Sequence, residues 1–78
     1  MVDLIPMQYL PPGRSGWIRQ LIGLPADVHR LEELGLRSGR MVEMVQPGSP
    51  CIVRFSGSKL CFRDTEALGV LVQMGEDE

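Results

Sequence analysis

Two cysteines, one histidine and no long apolar run are the first features of this 78-residue sequence. A disulfide-rich secreted scaffold needs four or more cysteines, and a zinc ribbon needs paired Cys-x-x-Cys ligands, so neither framework is available. Nothing approaches the roughly 20 consecutive apolar residues that span a bilayer. The opening Met1-Val2-Asp3-Leu4-Ile5-Pro6 lacks the basic and apolar regions of a secretory signal, and cysteines that need no oxidation favour the cytoplasm. Catalytic groups are equally scarce. There is no supported Ser-His-Asp set, no glycine-rich phosphate loop and no clustered carboxylate pair. The expectation is one non-enzymatic domain over residues 1–78, with no cofactor, held together by its apolar core.

Charge of one sign is also lacking. The formal charge is −2, but three of the ten acidic residues are the last three, Glu76, Asp77 and Glu78. Eight basic residues therefore face seven acidic ones in the body, which leaves no footprint for phosphate-dominated nucleic-acid binding. Residues 75–78 read as a solvated acidic tail and 1–6 as an N-terminal extension.

What is present is punctuated by glycine and proline. Leu10-Pro11-Pro12-Gly13 makes a turn. Gly16 to Ile22 reads as a first strand with Ile18 inward, closed by Gly23. Val28, Leu31 and Leu34 recur at spacing three and line a short helix, with Asp27 in or just before its first turn. Gly35 ends that helix, and Leu36 after it packs back. Arg40 to Val45 is a second strand. Cys51 to Phe55 and Leu60 to Arg63 flank Ser56-Gly57-Ser58-Lys59, where Gly57-Ser58 suits a type II′ turn. That register sets Phe55 opposite Leu60, Val53 opposite Phe62 and Arg54 opposite Cys61. Val53, Phe55, Leu60 and Phe62 then share the core face. Asp64 to Leu68 makes a helical turn capped by Asp64, and Val70-Leu71-Val72 is a closing strand. The fold class is mainly β: a small barrel of about five strands, with one short helix after the first strand and a helical turn before the last.

Several residues invite a sharper reading. His29 and Glu33 form an i,i+4 pair on the solvent side of the helix. Two ligands on an exposed face fall short of the three or four a metal site needs. Cys51 and Cys61 fall on opposite faces of the hairpin, so they read as packing thiols rather than one metal or redox site. Arg54 and Arg63 share the outer hairpin face, and Arg37 and Arg40 flank Gly39. With Phe55 and Phe62 in the core, only Trp17 and Tyr9 remain for base stacking, so solvated or paired arginines are the expectation.

Read in order, these residues resemble the FeoA-like domains. The resemblance rests on Arg30-Leu31, Glu33-Leu34-Gly35-Leu36, Gly39, Val42 and Val45. It continues through Pro50, Gly57, Ala67, Val70 and Val72, with Met7, Leu10, Gly13 and Ile18 upstream. It spans about residues 7 to 74. Met7 stands where leucine is usual, and the loop before Pro50 is a few residues shorter. The resemblance implies an SH3-like barrel acting in the cytoplasm beside FeoB, a membrane ferrous iron transporter with its own GTP-binding domain. A related domain ends the iron-dependent repressors, but no helix-turn-helix unit fits within this chain. The leading expectation is an adaptor of ferrous iron uptake that binds FeoB, with Leu36, Arg37, Ile52, Arg54 and Arg63 as contact residues and with no membrane insertion of its own. Weak self-association stays open. A metal-sensing domain using His29, Glu33 or a cysteine at a dimer contact is the second reading, and a nucleic-acid-binding barrel the third.

Overall fold

A computed structural model describes residues 3–74, with the backbone alone for Asp64 and Thr65. The acidic tail lies outside the described residues. In chain order the elements are β1 (Ile5–Pro6), a 3-10 turn (Met7–Tyr9), β2 (Ser15–Leu21), α1 (Pro25–Glu33), β3 (Met41–Gln46), β4 (Cys51–Phe55), β5 (Ser58–Phe62), α2 (Asp64–Leu68) and β6 (Val70–Met74). The strands form one six-stranded sheet in the order β1-β6-β2-β3-β4-β5, and every pairing is antiparallel. The sheet curls into an SH3-like barrel, and α2 packs on the 3-10 turn, β5 and β6.

Alternation, interrupted by register shifts after Ile18 and Met44, builds the interior. Gly16 and Ile18 of β2, Val42 and Met44 of β3, and Cys51, Val53 and Phe55 of β4 are buried, while Trp17, Arg19 and Arg54 between them face out. Val70 and Val72 of β6 complete the wall, with Met7, Leu10 and Ala67 plugging it. Gly16 is a close approach, since a Cβ there would lie 3.0 Å from Val72 Cγ2.

The helix ending follows expectation. The Leu36 N–H donates to the Leu31 carbonyl at 3.1 Å and the Gly35 N–H to the Glu32 carbonyl at 2.9 Å, with Gly35 at φ +100°. This is the Schellman arrangement, and both apolar partners, Leu31 and Leu36, are buried. Two expectations fail at this helix. Leu34 is 43% exposed, because the nine-residue helix buries Leu31 alone and Gly35 then redirects the chain. Leu36 is 0% exposed, because the same turn drives it into the core, so it cannot be a surface contact.

Two further differences concern the sheet. Ile5 and Pro6, expected in an extension, pair with Val72 and Leu71 as a sixth strand. A two-residue strand is too short to show period-two alternation. The hairpin turns one residue earlier than expected. Ser56 (φ 54°) and Gly57 (φ 85°) both take positive φ, a type I′ geometry, and Phe55 pairs with Ser58, Val53 with Leu60 and Cys51 with Phe62. A two-residue shift of pairing preserves every face, so Val53, Phe55 and Phe62 remain inside and Leu60 half-buried. Small Ser58 opposite Phe55 leaves room for the ring beneath Gly35, where a Cβ would stand 3.1 Å from it.

Among the described glycines, Gly69 at the return from α2 to β6 has the least room for a side chain. The Ile22 N–H donates to the Gly69 carbonyl at 2.8 Å, and a Cβ on Gly69 would sit 2.5 Å from the Ile22 carbonyl oxygen. Neither backbone can withdraw without losing the bond. Gly69→Ala is therefore expected to destabilise by about 1–3 kcal/mol, read as a lower urea midpoint at unchanged slope.

Candidate docking face

The candidate contact residues each have a definite place. Arg54 is exposed on the outer face of β4 and pairs with Glu43 of β3 at 3.3 Å, the two residues being cross-strand partners. Ile52 is half-buried on the same face and stands opposite Cys61 of β5. Arg63 follows at the end of β5 and is exposed. Ile52, Arg54, Cys61 and Arg63 thus come together on the outer hairpin surface. Arg37 does not join them. It lies in the turn between α1 and β3, where Gly39 is tied to Ile18 of β2 at 2.7 Å.

Beside Arg63 opens a cleft of about 340 Å³ lined by Arg30, Ser49, Pro50, Cys61, Phe62, Arg63 and Glu66. Glu66 organises it. Its Oε1 accepts the Arg63 backbone N–H at 3.0 Å, and its Oε2 forms a short ion pair with the Arg30 guanidinium, joining α1 to α2. The Glu66 side chain is 13% exposed and that of Arg30 62%. Arg63, rather than Asp64, stands at the N-cap of α2, and the Asp64 side chain is outside the described residues. Glutamate three residues after an N-cap supplies one half of a capping box, and the other half is missing because the Arg63 side chain has no acceptor. Placing the cap one residue late hid it in the sequence.

The metal candidates separate. His29 Nδ1 lies 3.7 Å from Glu33 Oε2, with both side chains about two-thirds or more exposed. Cys51 is buried against the core as a packing thiol, but Cys61 is exposed on the opposite face, so the packing expectation fails for Cys61. Among the described residues, no three His, Cys, Asp or Glu side chains come together as a metal-holding group, and no helix is long and apolar enough to cross a membrane. Trp17 and Tyr9 are exposed, but Trp17 pairs with Met41 of β3 and Tyr9 closes the 3-10 turn, so neither lies on the hairpin. Arg40 is held over the Phe55 ring, 5.1 Å from its centroid.

Because Glu66 carries both a cap and an ion pair, its loss is expected to exceed that of its partner. Glu66→Ala should cost about 1–2 kcal/mol, Arg30→Ala less than about 1 kcal/mol, and a double-mutant cycle in urea should return their coupling.

Comparison with known proteins follows this geometry. Residues 5–74 match the model of the FeoA domain family. The FeoA protein of Chlorobium tepidum superposes with a TM-score of 0.83 at 29% identity, over 95% of this chain and 74% of that one. The FeoA of Stenotrophomonas maltophilia, solved with zinc and described as an SH3 domain protein put forward as an activating factor of bacterial ferrous iron transport, gives 0.71 at 30% identity over 85% and 86%. An IdeR from T. acidophilum shares the fold, with a TM-score of 0.86 at 17% identity, but this chain covers only 36% of it. No curated protein matches. With the family pattern running through nearly the whole barrel, the chain belongs to the FeoA domain family.

Proposed function

We propose that this protein is a non-enzymatic accessory protein of ferrous iron uptake, which docks in the cytoplasm on a FeoB-like membrane GTPase transporter and modulates it. The family match over residues 5–74 carries the reading, because it takes in the whole barrel. The outer hairpin supports it as well. Ile52 offers an apolar centre, and Arg54 and Arg63 offer a charged border, the composition expected of a modest protein contact. A small rigid barrel needs little ordering on binding, so its surface can act as a preformed module.

The metal-sensing alternative has less behind it. The S. maltophilia protein was solved with zinc, but His29 and Glu33 here supply two ligands on an exposed helix face. A third would have to come from another molecule.

Tagged protein is expected to retain the detergent-solubilised transporter from its own cell, and deletion to lower ferrous iron uptake. Arg54→Glu with Arg63→Glu should weaken retention about tenfold, the equivalent of about 1.4 kcal/mol. No association together with unchanged uptake would refute the reading.

A further inference from the structure

The sheet has two open edges, and they are unlike. β1 is two residues long and includes Pro6, so it offers almost no ladder. β5 runs for five residues without proline, and among the described residues only β4 pairs with it. The turn geometry decides which groups it exposes. In a two-residue hairpin the residues flanking the turn, here Phe55 and Ser58, bond to each other, and the pattern then alternates along the strand. Ser58, Leu60 and Phe62 point their N–H and C=O groups at β4. Lys59 and Cys61 point theirs at the open side.

The side chains along this edge are selective. Lys59, Cys61 and Arg63 alternate on the outer face, and Lys59 is the sole lysine of the chain. No acidic side chain among the described residues forms an ion pair with Lys59 or Arg63, whereas Arg54 and Arg30 are each matched by a glutamate. The cleft beside Cys61 and Arg63 leaves room next to the end of the strand. A lysine on an open edge repels an indiscriminate neighbour and turns attractive when the incoming strand brings an acid opposite it. Pairing with a second copy is disfavoured on the same grounds, since registers centred on Lys59 or Cys61 set cation against cation.

We propose that the free edge of β5 is a strand-addition site for an extended acidic segment of a partner protein. The segment carries one carboxylate opposite Lys59, a second four residues away near Arg63, and a small or apolar residue between them opposite Cys61. Main-chain bonds to Lys59 and Cys61 hold it, and the two cations choose it. In naming the segment that a transporter would offer, the proposal builds on the docking reading, but the site can be tested without the transporter.

The probe is the capped peptide acetyl-Thr-Glu-Val-Thr-Val-Glu-Thr-amide, titrated to millimolar concentration into ¹⁵N-labelled protein, alongside a counterpart with both glutamates replaced by lysine. The acidic peptide is expected to shift the Ser58–Phe62 amide resonances and slow exchange at Lys59 and Cys61 several-fold. The lysine peptide should bind at least tenfold more weakly. Lys59→Glu together with Arg63→Glu, both surface changes, should reverse that order. Cys61→Pro, which removes the outward N–H and no bond to β4, should weaken the acidic peptide while keeping a dispersed spectrum. Absent shifts, shifts centred elsewhere, or equal binding of both peptides overturns the proposal. Retention of the transporter is scored separately. If Lys59→Glu keeps the transporter while the peptide is rejected by the native protein, the edge proposal fails and the docking reading stands. Peptide binding in the stated register without transporter binding supports the edge and removes the docking reading.

Discussion

The close approach of Gly69 to Ile22 is the constraint on which the barrel depends. Six short antiparallel strands do not close by hydrogen bonds alone here, because β5 and β1 are not neighbours. Closure falls to α2, five residues long, which must carry the chain from the end of β5 to the start of β6. It succeeds because Ala67 is small enough to be buried and Gly69 has no Cβ to meet the Ile22 carbonyl. Glu66 then fixes the start of the turn through the Arg63 N–H and ties it to α1 through Arg30. A seam closed by a helical turn rather than a ladder leaves one strand unpaired on its outer side. The open edge of β5 is thus a direct product of how the barrel shuts.

Much of this was legible in the residues. The alternation of Cys51 to Phe55 fixed which hairpin face is buried, and that assignment survived a wrong turn type because the pairing slipped by two residues rather than one. The Leu31 to Leu36 helix ending was readable because left-handed glycine followed by an apolar residue has a specific bond pattern, and those bonds are present. Leu34 was misjudged as a core residue, whereas Leu36 packs back as expected and fails only as a surface contact. Helical spacing gives a stripe, but where a stripe meets a turn, the turn decides which leucine enters the core. Ile5 and Pro6 carry no periodic signal, and their pairing depends on β6, some 65 residues away in sequence.

The candidate docking face was less legible, and the family pattern explains why. Leu31, Leu36, Val42, Ala67, Val70 and Val72 are interior, and Gly35, Gly39 and Gly57 serve positive φ. Those residues specify a barrel. The surface groups Arg54, Arg63, Lys59 and Glu66 are set by pairing register and by one ion pair between helices, which no local spacing announces.

The hairpin also carries an unplanned convenience in its two thiols. Cys61 is open to solvent, whereas Cys51 is sealed against Phe62 on the inner face. An alkylating reagent meets the first in the native protein and the second only when the hairpin opens, so the chain contains its own clock for unfolding, with one sulfur as the reference hand and the other as the moving one.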